Sequence, residues 1–148
     1  MMRRINNKQL GELLLDRGII SQPQLDQALG VQRDKGGLIG EILVELGFAK
    51  EDDIAQSLTA QYGFPYLPLG SYDVNVDITS IIPGRVARQY LLVPIDKIGN
   101  NLTLAMSNPL NTQAIEDVEL LTGCSVQTFV STSSDIKRAI EKYYKDIE

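Results

Sequence analysis

The sequence predicts an α+β chain: a duplicated helix-turn-helix unit of four short helices, followed by a small α/β sandwich built on a three-stranded sheet. Three observations predict it. A 24-residue segment occurs twice without gaps in the first half. Helical periodicity then stops at a stretch carrying two prolines, residues 63–70. Beyond it, three short apolar runs with strand composition alternate with helical patterns. The expected division is residues 1–63 for the helical unit, 64–75 for a linker and 76–148 for the α/β unit.

Residues 9–32 read QLGELLLDRGIISQPQLDQALGVQ and residues 38–61 read LIGEILVELGFAKEDDIAQSLTAQ. Superposed, they pair Gly11 with Gly40, Glu12 with Glu41, Gly18 with Gly47, Leu29 with Leu58 and Gln32 with Gln61. Conservative pairs, such as Leu10 with Ile39 and Leu25 with Ile54, fill the intervals. In the first copy Leu10, Leu13 and Leu14 stand at helical spacing, and Gly18 follows where a left-handed helix end needs glycine. Ser21 and Gln24 have capping-box spacing, with Pro23 in the first turn, where its missing N–H costs nothing. Leu25, Ala28, Leu29 and Gln32 then share one helical face. The second copy replaces the box with Glu51, Asp52 and Asp53, acids favoured at the positive end of a helix. Lys35-Gly36-Gly37 turns the chain from one copy into the next.

Two repeated features admit two readings each. Gly11 and Gly40 stand at the expected start of helices, where alanine is better by about 1 kcal/mol. Either a ligand approaches the backbone there, or the glycines let helices cross closely. Gln32 and Gln61 end otherwise apolar stripes. Either they orient a polar ligand lying on the stripe, or they are simply exposed.

In the second half, residues 77–90 read as two short helices broken at Pro83-Gly84. Residues 92–98 and 102–106 are strand-like and joined by Gly99-Asn100-Asn101, a hairpin signature. Asn111 caps a helix closed by Gly123, residues 126–130 form a third strand, and Thr132 with Asp135 opens a last helix. This order covers one face of the sheet.

Hydrophobic residues make up 43% of the 148 and charged residues 22%, a globular composition. With a net charge of −5 and no Lys/Arg stripe, DNA and RNA are not expected partners. The cluster Arg3, Arg4 and Lys8 reads as a solvated tail. Histidine is absent and Cys124 stands alone, so no Cys–His metal site exists. Cys124 itself reads as packing. No apolar run is long enough to span a bilayer, and no signal-peptide pattern opens the chain, which fits a reducing cytoplasm. Neither a G-x-x-x-x-G-K-[ST] loop nor a G-x-G-x-x-G motif occurs. The expectation is a non-catalytic chain without cofactor.

The two copies and the five-residue spacer resemble the MshE N-terminal (MshEN) family, the N-terminal domain of extension ATPases of type IV pili and type II secretion. The family motif runs R-L-G, two aliphatics, G, two aliphatics, then L, L and Q at fixed intervals. LLVPIDKIGNNLTLAMSNPLN and TGCSVQTFVSTSSDIKRAIEKYY resemble the same family's α/β part, so the likeness covers nearly the whole chain. The resemblance implies a receptor for cyclic di-GMP, one half of the ligand per motif. Carried over by position, the site residues are Gln9, Leu10, Gly11, Leu25, Leu29 and Gln32 from the first motif. Leu38, Ile39, Gly40, Ile54, Leu58 and Gln61 come from the second, with Asn108 from the α/β part.

The sequence departs from the motif where Gln9 and Leu38 stand in place of its leading arginines. Hydrogen bonds to charged groups contribute about 1.5–3 kcal/mol, so each loss weakens binding roughly ten- to a hundredfold. Phe48-Ala49 replaces one aliphatic pair, and Asn108 stands where relatives carry Asp. The alternative reading is a protein-docking module that links a secretion or pilus ATPase to its membrane platform. An exposed stripe of Leu25, Leu29, Ile54 and Leu58 serves either role. The ligand is expected to fix the helical hairpins against the α/β unit across residues 63–70.

Overall fold

The computed structural model describes residues 6–144, with side chains from residue 10 onward. Arg3 and Arg4 lie outside the described residues, as do the side chains of Lys8 and Gln9. The first half is two helical hairpins: α1 (Asn6–Asp16) with α2 (Gln22–Lys35), and α3 (Ile39–Glu45) with α4 (Glu51–Tyr62). Aligned glycines close the first helix of each at nearly the same backbone angle, Gly18 at φ +74° and Gly47 at φ +80°. The capping box of α2 forms in full. Gln24 N–H donates to Ser21 Oγ, and the Ser21 N–H donates to Gln24 Oε1 at 2.9 Å. Nothing in residues 6–9 breaks a helix, so α1 begins a turn earlier than the repeat and Gly11 sits mid-helix.

The four helices share one core. Leu10, Leu14, Ile39, Leu43 and Leu58 are its largest fully buried side chains. Each contributes about 1.5–3 kcal/mol by leaving water, which is what holds helices too short to persist alone.

The second half continues with α5 (Val76–Thr79), α6 (Gly84–Tyr90), β1 (Leu92–Ile98), β2 (Asn101–Met106), α7 (Thr112–Thr122), β3 (Ser125–Val130) and α8 (Ser133–Tyr143). The strands lie in the order β1-β2-β3, the first pair antiparallel and the second parallel, so β2-α7-β3 is a crossover unit. Gly99 turns the hairpin at φ +60°. Asn111 and Thr132 cap α7 and α8 through their side chains, as their spacing predicts.

The sheet is covered on both faces, not one. Val93, Ile95 and Ala105 pack with Ile136 and Ile140 of α8, while Leu92, Leu102, Leu104 and Met106 pack with Ala114 and Val118 of α7. The signal was the unbroken burial of Leu104-Ala105-Met106, since a strand with one wet face alternates apolar with polar. Cys124 is a buried member of the second of these clusters, as its packing reading expects.

Residues 64–75 do not hang free. Val130 N–H donates to the Pro65 carbonyl at 2.8 Å, Leu67 N–H donates to the Val130 carbonyl at 2.9 Å, and Ser131 Oγ donates to the Leu67 carbonyl at 2.7 Å. The segment thereby caps the open edge of β3, and Leu69 and Val74 anchor it in the core beneath α8. Val130 belongs to the core of the four-helix unit, so the two halves share packing.

Candidate functional site

Where the second hairpin meets the α/β unit lies a narrow cleft with only about 20 Å³ of room, enough for a single water. Its helical wall is Leu10 of α1, Leu38, Ile39 and Gly40 at the start of α3, and Ile54 and Ala55 of α4. Its other wall is Tyr90, then Ser107, Asn108 and Asn111 after β2, then residues 131–133 after β3. Loops at the ends of β2 and β3 therefore deliver polar side chains to an apolar helical surface.

Six of the residues expected at a ligand site meet there: Leu10, Leu38, Ile39, Gly40, Ile54 and Asn108. Gly11, Leu25, Leu29, Gln32, Leu58 and Gln61 do not line this cleft, and the side chain of Gln9 lies outside the described residues. The stripe expected to be exposed is core instead. Leu25 is 3% and Leu58 0% exposed, Ile54 is buried and Leu29 is partly so. A stripe on a short amphipathic helix finds its nearest apolar partner in the neighbouring hairpin, and the sequence offers four such helices.

The repeated glycines divide in the same way. A Cβ on Gly11 would stand 2.6 Å from Leu25 Cδ1, and one on Gly40 would stand 3.3 Å from Leu10 Cδ2 and 3.9 Å from Ile54 Cδ1. Leu25 and Ile54 are aligned positions, so one helix-to-helix approach recurs in both copies, tighter in the first. At Gly11 the close neighbour is thus the hairpin's own leucine. Gly40 is only half-buried and lines the cleft. The glutamines also differ. Gln32 Nε2 donates to the Gly37 carbonyl at 2.9 Å, tying down the turn between copies, whereas Gln61 is exposed in a shallow depression with Glu12, Asp16 and Arg17.

Residues read only as helix-end acids prove to join the two units. Glu51 accepts from Ser134 N–H and Ser134 Oγ, both at 2.7 Å, and from Ser133 Oγ at 3.3 Å. A carboxylate is thereby held on the first turn of α8, where unpaired N–H groups and the helix dipole favour it. Burial pushes the Glu51 carboxyl up, but the bonds from Ser134 and Ser133 and the charge of Arg138 outweigh burial and hold it below its ordinary value. Glu41 pairs with Lys137 of the same helix, and that bond, against burial, raises the lysine above its ordinary value. Tyr90 donates its hydroxyl to Asp117, and burial together with that carboxylate pushes the phenol up to about 12. No sequence spacing announces these contacts, because Glu51 and Ser134 lie 83 residues apart.

Among the described residues no lysine or arginine lines the cleft, while Glu41 and Glu51 do. Among the described residues no cluster of acids or cysteine could hold a metal ion, and no helix is long and apolar enough to cross a membrane.

The chain is thus a two-part α+β domain, a duplicated helical hairpin packed on a small three-stranded α/β unit with a cleft between them. The MshEN domain model matches residues 62–148, the part containing the α/β unit. The chain is 39% identical over 137 residues to the type IV pilus assembly ATPase PilB of Myxococcus xanthus, covering 93% of this chain and 24% of that protein. It is 32% identical over 145 residues to PilB of Thermus thermophilus, covering 97% and 16%. This chain thus spans a quarter or less of those relatives' length. MshE solved with cyclic di-GMP (cdg) superposes with a TM-score of 0.66 at 28% identity, covering 97% of this chain and 100% of that one. The N-terminal domain of XpsE gives a TM-score of 0.76 at 24% identity over 97% and 99%, a likeness of fold. The chain belongs to the MshEN domain family.

Proposed function

We propose that this chain is a cyclic di-GMP-binding regulatory domain of a type IV pilus or type II secretion ATPase, or a standalone receptor, acting in the cytoplasm by binding rather than by turnover. The observation that carries the reading is the cleft, where Leu10, Leu38, Ile39, Gly40, Ile54 and Asn108 come together from four separate stretches of chain. A purine lying on its apolar wall would meet hydrogen-bonding groups on the polar one, and the two walls must part to admit it, since about 20 Å³ holds only a water. The likeness to MshE, solved with the same ligand, supports it.

The test is calorimetric titration of the full 148-residue chain with cyclic di-GMP, with GTP and cyclic di-AMP as controls. Saturable heat selective for cyclic di-GMP supports the receptor. No heat at high micromolar ligand overturns it.

A second reading has its own observation. Phosphodiesters favour cationic partners, yet among the described residues the lining holds two carboxylates and no lysine or arginine. That composition favours docking onto an ATPase core or membrane platform protein, and a silent titration makes it the function to pursue.

A further inference from the structure

Residues 65–67 run along β3, where Val130 bonds to the Pro65 carbonyl and to the Leu67 N–H, so the backbone of Tyr66 is pinned from both sides. Its ring is 46% exposed and borders an open depression with about 500 Å³ of room on the outer face of α4. The rest of the described lining is Asp52, Ala55, Gln56 and Thr59, one helical face by their spacing. Of these only Ala55 also lines the cleft. Thr59 gives its hydroxyl to the Ala55 carbonyl at 2.6 Å. The side chains of Asp52, Gln56 and Tyr66 have no hydrogen-bond or ion-pair partner among the described residues. The field at this place is negative: burial, then the charges of Asp135, Asp52 and Glu51, push the Tyr66 phenol above its ordinary value. Glu51 is committed to Ser133 and Ser134, and Asp135 to Arg138, whereas Asp52 is unspent. Tyr62, three residues beyond Thr59 on α4, is also exposed, and its ring lies 6.2 Å from that of Phe64 between centroids. Helix-end charge accounts for an acid at position 52, and a single exposed tyrosine is ordinary. Neither accounts for an unpaired carboxylate, a free amide and a pinned aromatic ring around one depression.

We propose that this depression is a docking point for an arginine carried by a partner protein, its stem lying over Ala55 and the Tyr66 ring and its guanidinium donating to Asp52 and to Gln56 Oε1. The inference is independent of the cyclic di-GMP reading, because it concerns another face of α4. Arginine is the side chain that fits this set: it stays charged, its plane stacks on an aromatic ring, and its fork matches a carboxylate. Phosphate groups and acidic segments are disfavoured by the same field that raises the Tyr66 phenol. The occupant is a protein rather than a small free cation, because Asp52, Gln56 and Tyr66 are all exposed. A free cation there would keep its water and gain little, whereas an arginine presented on a surface brings neighbours that can cover Tyr62 and Phe64 as well. The pinned backbone of Tyr66 lowers the cost of ordering that ring on contact.

The test is an NMR titration of the full 148-residue chain with an acetylated, amidated tripeptide carrying arginine between two leucines. A control peptide replaces the arginine with citrulline, which keeps the shape and loses the charge. The expected result is saturable shifts at the amides of Asp52, Gln56 and Tyr66 with the arginine peptide, at a Kd of about 1–10 mM, and none with the control. Asp52→Asn and Tyr66→Ala should each weaken that binding roughly two- to fivefold, as for an exposed ion pair and an exposed cation–π contact. Thermal melts check the fold. Should Tyr66→Ala melt early, Asp52→Asn carries the comparison, because that side chain is exposed and holds no partner. Equal shifts from the two peptides, no shifts at these amides, or folded variants that bind like the parent overturn the proposal. Shifts at the same amides on concentrating the parent alone, absent from Asp52→Asn, would assign the depression to a second copy of this chain and overturn the partner protein.

Discussion

Replacing Glu51 with alanine tests the joint between the two units most directly. The side chain accepts three hydrogen bonds from the first turn of α8, two at 2.7 Å and one at 3.3 Å. Bonds to a charged group contribute about 1.5–3 kcal/mol in protected sites. Glu51 is half-buried, so solvent screening and the long 3.3 Å bond reduce the set to a total of about 2 kcal/mol. For a chain of this length that is a fall in melting temperature of roughly 5–8 °C. Asp52 supplies the control. It stands next to Glu51 in the first turn of α4 with the same dipole benefit, but is exposed. Asp52→Ala should cost under about 0.5 kcal/mol. The assay is urea denaturation of both variants, with amide hydrogen exchange at Ser134 and Asp135 to locate the loss. Equal midpoints for the two variants would refute the claim that Glu51 holds α8, because helix-end charge alone would then explain both.

Further outcomes follow from the same geometry. Because the Glu51 carboxyl sits below its ordinary value, its stabilisation is complete above the unfolded value, about pH 4.3, and is lost as pH falls through the folded value. The melting-temperature gap between parent and Glu51→Ala should therefore shrink on acidification below that point, and a gap that widens would contradict it. Gly11→Ala gains about 1 kcal/mol of helix propensity but drives a Cβ to 2.6 Å from Leu25 in a packed core, a strain of about 1–3 kcal/mol. Gly40→Ala meets only the end of Leu10 at 3.3 Å, so urea midpoints should place Gly11→Ala below Gly40→Ala. Leu58→Ala should cost about 2–5 kcal/mol in a thermal melt, the toll of a core cavity, and a loss under 0.5 kcal/mol would mean that the residue serves as open surface.

The helices and strands were legible because their signals are local. Gly18, Gly47, Gly99 and Gly123 all hold positive φ where the turns require it, and Ser21, Asn111 and Thr132 cap the helices their spacing assigns. What stayed hidden depends on which apolar faces meet. Periodicity marks a stripe at Leu25, Leu29, Ile54 and Leu58 but not whether it faces solvent, a ligand or a neighbouring hairpin. The second covered face of the sheet was hidden for a related reason: α7 and α8 are both amphipathic, and only the tertiary fold sends them to opposite sides. Half of the cleft was legible through the repeat and the resemblance, which together name Leu10, Leu38, Ile39, Gly40, Ile54 and Asn108. Most of the rest, with Tyr90, Ser107, Asn111 and residues 131–133, comes from helix ends and loops whose only sequence signature is that of caps and turns.

Duplication makes two copies alike in backbone but cannot make them alike in surroundings. Both hairpins turn at matched glycines and bring the motif glycine toward the matched aliphatic residue. Among the described residues the second is the one tied to the α/β unit at its N-terminal edge, through Glu41 to Lys137 and through Glu51 to Ser133 and Ser134. The aligned partner of Glu41 is Glu12, which is exposed beside Arg17 and Gln61 and meets no such helix. The first copy accordingly closes over Gly11 with Leu25, while the second keeps Gly40 at an open cleft whose far wall another domain supplies. A ligand with two equivalent halves would thus meet two unequal surfaces, one of them beside the residues that Glu41 and Glu51 tie to α8. Unequal surfaces would move one unit against the other only where the ligand bound one arrangement more tightly than another, because equal affinity for two arrangements shifts nothing between them.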